Sequence, residues 1–165
     1  MIPYRVQAPY DWQSLLALIQ TAFAHMDGRI DPPSSMHALT EADLARQSTK
    51  AEIWAISPDP KALPVACVVL TPKAHALYVG KLAVAKTHRG QGLARRLITL
   101  AETRARALGL PALELQVRVE LAENHATFRA LGFRKTAETA HPGYTRPTSC
   151  TFTKDLPPIR PKGPS

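Results

Sequence analysis

The stretch LYVGKLAV (77–84), continued by HRGQGLA (88–94) and RRLITLAETRARAL (95–108), decides how the rest of the chain is read. Residues 77–84 are mostly apolar, β-branched or aromatic, and the run is long enough for one buried strand. Leu93, Leu97, Leu100 and Leu108 then recur at helical spacing until Gly109 and Pro111 end the run, so a helix starts at the glycines. The first turn of a helix leaves backbone N–H groups without partners and carries the positive end of the macrodipole. Glycine at 90 and 92 removes the Cβ atoms that would hold a pyrophosphate away from those amides, and Ala94 keeps the next turn small. Between residues 81 and 106, Lys81, Lys86, Arg89, Arg95, Arg96, Arg104 and Arg106 face the single acid Glu102. A bare glycine pair is most often a plain turn. The strand before it, the helix after it and the basic flank together favour an anion site.

The turn lacks the Gly-Lys-Ser/Thr ending of a P-loop and the three glycines of the dinucleotide fingerprint, so neither nucleotide motif fits. The segment Arg89-Gly90-Gln91-Gly92-Leu93-Ala94 resembles motif A of the GNAT superfamily of N-acetyltransferases, Arg/Gln-x-x-Gly-x-Gly/Ala, which holds the pyrophosphate of acetyl-CoA. The run from Asn124 to Gly132 and Phe133 resembles the next motif of that family, and the likeness extends from Tyr4 to Leu156. It implies an α/β (α+β) fold with a central mixed, mostly antiparallel twisted sheet of about seven strands flanked by helices.

The remaining elements follow from periodicity and turn signals. Tyr4 to Ala8 reads as a short strand, and Asp11 caps a helix with Trp12, Leu15, Leu16, Ile19 and Phe23 on one face. Periodicity then disappears from His25 to Leu39, where Gly28, Pro32 and Pro33 mark a long connection of the kind that is often functional. Thr40 and Asp43 resemble a capping box for a second helix reaching about Gln47. Ile53–Ser57, Val65–Thr71 and Leu77–Val84 form a meander, and after the central helix Leu113, Leu115, Val117 and Val119 alternate strictly with Glu114, Gln116, Arg118 and Glu120. A short helix from about Ala122 to Leu131 precedes strands at Phe133–His141 and Thr148–Leu156. The order β-α-α-β-β-β-α-β-α-β-β is that of GNAT enzymes. Residues 1–156 are expected to form one domain and residues 157–165 a proline-rich disordered tail.

A chain of 165 residues can bury a core without metal or disulfide support. Its net charge of +8 and pI near 9.9 suit a polyanionic partner without choosing among CoA, nucleic acid and an acidic surface. Cys67 and Cys150 sit in separate apolar runs and read as two buried thiols. The six histidines are scattered, without metal-ligand spacing near the cysteines, so no metal is expected. No signal-like or membrane-length apolar stretch is present, and the expectation is a soluble cytoplasmic protein, monomer or homodimer.

The resemblance also assigns chemistry. Arg89, Gly90, Gln91, Gly92, Leu93 and Ala94 would cradle the pyrophosphate of acetyl-CoA, with charge added by Arg95. The backbone of Leu82, Ala83 and Val84 would pair with pantetheine as an added strand, and Asn124 and Phe128 would lie near its thiol end. A lysine-like amine must lose a proton before it attacks, which costs roughly 4–5 kcal/mol at pH 7, so a base matters. A thiolate leaves readily by comparison, so a general acid contributes less. Where the family often has a tyrosine acid this chain has Phe128, which cannot donate. Tyr144, in the loop joining the last two strands, is the candidate replacement, although it could equally pack on Pro142 or Pro147. The strand before motif A carries Lys81 and no carboxylate, which leaves Glu114, Asp27 or Asp31 as base through water, and a solvated strand carboxylate is the commoner role for a residue such as Glu114. Asn124 is also a possible helix N-cap. Asp27, Arg29, Asp31, Gln116, Tyr144 and Arg146 are the acceptor-side candidates. The acids point to a cationic amine, whereas Arg29, Arg118 and Arg146 could receive a carboxylate. The competing expectation is a non-catalytic acyl-CoA sensor. A nucleic-acid binder ranks last, because the basic segment has only Tyr78 for stacking.

Overall fold

A computed structural model describes residues 1–158. The segment 159–165, which holds most of the expected tail, lies outside the described residues. The chain forms β1 (Tyr4–Arg5), α1 (Trp12–Phe23), α2 (Glu41–Lys50), β2 (Glu52–Ile56), β3 (Ala66–Pro72), β4 (Leu77–Val84), α3 (Leu93–Ala107), β5 (Ala112–Arg118), α4 (Ala122–Ala130), β6 (Arg134–Thr139) and β7 (Ser149–Asp155). This is the order read from the sequence. Short 3₁₀ turns at Ala24–Met26, Ser35–Ala38 and Lys86–His88 lie in the connections.

One seven-stranded sheet runs β1-β2-β3-β4-β5-β7-β6. Every neighbouring pair is antiparallel except β4 and β5, which the α3 crossover makes parallel. One sheet face buries Leu15, Leu18 and Ile19 of α1 with Leu44 of α2 against Ile53, Cys67 and Val69. The other buries Leu93, Leu97, Ile98, Ala101 and Ala105 of α3 against Val68, Leu70, Leu77, Leu113 and the fully buried Phe152. Filling such side chains into the core contributes roughly 1.5–3 kcal/mol each. Cys67 and Cys150 are both buried and free. Among the described residues no helix is long and apolar enough to cross a membrane, and no group of three or more His, Cys, Asp or Glu side chains is placed to hold a metal.

The boundaries shift at three places. The first strand keeps only Tyr4 and Arg5 in the ladder, since Val6 makes a single further bond to Ile53 O (2.8 Å). The capping box at Thr40 and Asp43 is present, but its helix runs on to Lys50. The penultimate strand stops at Thr139 and is exposed along its whole length; it is a sheet edge, and its Arg134, Lys135 and Glu138 suit such a position.

The feature that positions the site is in β4. Pairing with β3 slips between Cys67 opposite Ala83 and Val69 opposite Gly80, so β4 carries one extra residue, and Lys81 takes φ +49°. Few non-glycine residues adopt that conformation. Beyond the bulge β4 no longer follows β5: the two strands pair only at Leu77–Leu113 and Tyr78–Glu114. The sheet therefore opens between its two central strands.

Candidate active site

Two clefts occupy this opening. One, of about 410 Å³, is lined by Leu82, Ala83 and Val84 of β4, by Arg89 and Ala94 at the start of α3, and by Glu123, Asn124, Thr127 and Phe128 of α4. The other, of about 280 Å³, is walled by Met26, Ile30, Met36, Val79, Leu115 and Val117, with Lys81, Gln116, Arg118 and His141 also lining it. They share Phe23, Met26, Leu82, Asn124 and Phe128. A ligand lying along β4 would thus meet a second molecule at Leu82. A wider hollow of about 660 Å³ lies between α1 and residues 63–64 and 85–89, and adjoins the first cleft at Ala22, His25 and Arg89.

The first cleft ends at a helix N-terminus that is open to an anion. Gly92, the N-cap of α3, has φ +76° and Gly90 +78°, and a Cβ built on either meets nothing within 4 Å. The cap has no side-chain hydrogen bond, and the first helical N–H with a backbone acceptor is that of Arg96, on Gly92 O (3.0 Å). The amides of Leu93, Ala94 and Arg95 precede it and are oriented for an anion. Arg89 lines the cleft, while Arg95 is exposed on the first turn of α3.

The other anticipated residues are dispersed. Asn124 lines both clefts, but it is not an N-cap: α4 begins at Ala122 with Leu121 as its cap, and Asn124 N–H donates to Leu121 O (3.0 Å). Phe128 packs edge-on against Phe133, with centroids 5.8 Å apart. Gln116 lines the second cleft, and Glu114 pairs with Tyr78 at the closed end of the opening, outside either lining. Tyr144 O–H donates to Asp31 (2.5 Å), which holds the phenol pKa above its usual value, and Arg146 reaches the same carboxylate (3.3 Å). Asp27 is bound by His37 (2.6 Å) and Arg29 by Glu123 (2.5 Å). These five residues rim the opening and line neither cleft.

The sequence reading counted Lys81 only as part of the strand and its basic flank and did not single out His141 or Ser149, all three of which line the second cleft. His141 was invisible because its setting is made by chain return: Thr148 Oγ1 accepts the His141 backbone N–H (2.9 Å) and lies 2.5 Å from Nδ1. Burial, then the charge of Arg118, pull the imidazole pKa below its ordinary 6.5, so the ring is neutral at pH 7. Burial likewise lowers the pKa of Lys81.

Among the described residues the sheet opens within its single parallel pair, with a glycine-capped helix at the mouth of the gap. The chain belongs to the GNAT family of acetyltransferases: the model described as Acetyltransferase (GNAT) family matches residues 12–133. Solved structures share the fold. The E. coli ribosomal-protein-S18-alanine N-acetyltransferase aligns at 15% identity over 99% of this chain and 98% of its own, with TM-score 0.71. A Lactobacillus plantarum protein provisionally described as an N-acetyltransferase aligns at 22% over 94% and 97%, with TM-score 0.70. A GNAT family acetyltransferase from Elizabethkingia anophelis, solved with acetyl-CoA bound, aligns at 15% over 94% and 97%, with TM-score 0.66. No curated protein sequence matches the chain.

Proposed function

We propose that the protein moves the acetyl group of acetyl-CoA to a primary amine by direct attack, in the cytoplasm, as a monomer or homodimer and without a metal. The observation that carries this reading is the meeting of the two clefts at Leu82, Asn124 and Phe128, with the open glycine cradle at the far end of the first. Leu93, Ala94 and Arg95 offer amides to the diphosphate, and the backbone of Leu82, Ala83 and Val84 offers an unpaired strand edge to pantetheine. The Leu82 N–H is the donor for the developing oxyanion. Incubation with acetyl-CoA and a panel of amino acids, polyamines, aminoglycosides and peptides, read by mass spectrometry, tests the reading. No acetylated product from a protein that binds acetyl-CoA would favour the sensor alternative, for which Phe128 in place of a tyrosine is the motivating residue.

The amine proton needs an acceptor, and His141 has the placement for it. With the Thr148 hydroxyl proton on Thr139 O (3.4 Å), His141 Nδ1–H donates to Thr148 and Nε2 keeps the free lone pair of a general base. Glu114, off the cleft, would act only through water. His141→Gln is expected to lower kcat/KM at pH 7 by roughly 100-fold. In the wild type, kcat/KM should rise with pH through a value below 6.5, where the imidazole loses its proton, and the variant should lack that limb. A pH profile shared by both proteins removes His141 from the mechanism.

Tyr144, on the rim and off both clefts, is proposed to protonate the leaving thiolate through water, its own hydroxyl proton resting on Asp31. Because the thiol is a good leaving group, Tyr144→Phe should reduce kcat by only about tenfold and leave acetyl-CoA affinity unchanged. Unaltered turnover would assign Tyr144 to holding the Asp31 loop alone.

A further inference from the structure

The charges around the second cleft are unevenly spent. Asp27 is held by His37, Asp31 by Tyr144 and Arg146, and Glu123 by Arg29. Among the described residues no aspartate or glutamate lines this cleft, whereas Lys81, Arg118 and His141 do. Arg118 donates Nη2 to Pro33 O (3.2 Å), but its Nη1 is buried and has no hydrogen-bond partner among the described residues. Burial pushes the guanidinium pKa down, against the pull of Glu120, Tyr144 and Asp31. Glu120 is the competitor within the chain: Oε2 takes the Asp31 N–H (2.9 Å), and Oε1 is buried without a partner and makes no ion pair with Arg118. A buried, unsatisfied guanidinium N–H is costly to the fold, and a carboxylate is the acceptor that matches it best.

Shape adds to charge. The contacts Arg118–Pro33, Asp31–Glu120 and Tyr144–Asp31 join the 25–39 loop to the end of β5 and to the β6–β7 loop. Both loops border the cleft, so these bonds tie its rim together around about 280 Å³, with walls formed by Met26, Ile30, Met36, Leu115 and Val117. That volume suits a small, largely apolar molecule.

We infer that the acceptor is a small amine carrying its own carboxylate beside an apolar body, the arrangement of a free apolar amino acid, and that Arg118 receives the carboxylate. This rests on the acetyl-transfer reading above. In the transfer an N–C bond forms between the amine nitrogen and the acetyl carbonyl carbon while the C–S bond breaks. The amine proton passes to the base, and the sulfur leaves as thiolate and takes up a proton, giving the N-acetyl amino acid and free CoA thiol.

The test uses the full chain with acetyl-CoA and matched sets: leucine, methionine and phenylalanine, each beside its amide and its decarboxylated amine. The wild type is expected to prefer the acids by about 10- to 100-fold in kcat/KM, the worth of a charge-assisted contact. The amides start with the more acidic ammonium, so the acid–amide comparison is biased against this outcome and is the decisive one, the decarboxylated amines having the less acidic ammonium. Arg118→Gln should remove the preference and Arg118→Lys should keep part of it. Amides or amines used as well as acids by the wild type overturns the inference, and this arm needs no variant to fold. A preference that survives in folded Arg118→Gln overturns the assignment to Arg118. No product from acids, amides or amines, nor from polyamines or peptides, overturns the acetyl-transfer reading itself.

Discussion

Gly92→Glu is expected to abolish acetyl-CoA binding in a chain that still folds. Gly92 caps α3 at φ +76°, and a Cβ there meets nothing within 4 Å, so the new side chain enters the space the cradle leaves for a ligand. A carboxylate about 4 Å from a phosphate is opposed by roughly 4 kcal/mol near a protein surface. Each amide contact to a charged oxygen that is lost removes about 1.5–3 kcal/mol more. Affinity should therefore fall by more than about 100-fold. The cost to folding is smaller, about 1–2 kcal/mol for an L residue in the left-handed region. Calorimetric titration checks the binding and thermal melting checks the fold. Gly92→Ala, which adds strain and one methyl but no charge, should lie between the two. Wild-type affinity in Gly92→Glu would mean that the diphosphate is held elsewhere.

The largest expected loss of stability lies at the opposite end of the same helix. Glu52 on β2 is 6% exposed and accepts from Arg104 Nε (2.7 Å), Arg104 Nη2 (2.8 Å) and Trp54 Nε1 (3.0 Å). Arg104→Met would strand that carboxylate in the sheet and should destabilise the protein by about 3–5 kcal/mol at pH 7. The Arg104 hydrogen bonds, ahead of that from Trp54, hold the Glu52 pKa below its ordinary 4.5. A depressed folded-state pKa gives stability that is present above the unfolded value and lost as pH falls through the folded one. The wild type should therefore weaken as pH drops below about 4.5, while the variant, whose Glu52 protonates more readily, loses less. Denaturant unfolding at pH 7 and pH 4 should show the gap narrowing. An equal gap at both pH values would assign the loss to packing of the Arg104 side chain, and the double variant with Glu52→Gln should recover most of the stability.

The glycine-capped start of α3 was legible in the sequence because its causes are local. Gly90 and Gly92 are adjacent to the strand and helix they join, and the apolar periods on either side are long. The same holds for the alternation in β5 and for the capping box at Thr40. The second cleft was legible only at Gln116 and Arg118, because its geometry depends on residues far apart in the chain. Lys81 lies in a mostly apolar run, and nothing in that run announces a left-handed residue at 81; the bulge appears only when β4 is placed against Cys67 and Val69. Arg118 was one of several free-looking cations until Arg29 and Arg146 found acids and Arg118 found only a carbonyl. Asn124 was placed correctly in its helix, yet the cap fell three residues earlier, at Leu121, whose side chain gives no capping signal.

The position of β7 bears on how the protein is made. The strand enters the sheet between β5 and β6, and the chain at its start supplies Ser149 to the second cleft and Thr148 to His141. Translation delivers β1 to β5 and the whole of α3 before this strand exists. In the order of synthesis the glycine-capped start of α3 precedes the opposite wall of the second cleft, and the edge of β5 meets its partner some thirty residues later, about the span of one supersecondary unit. The hairpin of β6 and β7 therefore completes the second cleft after the rest of the sheet has been made.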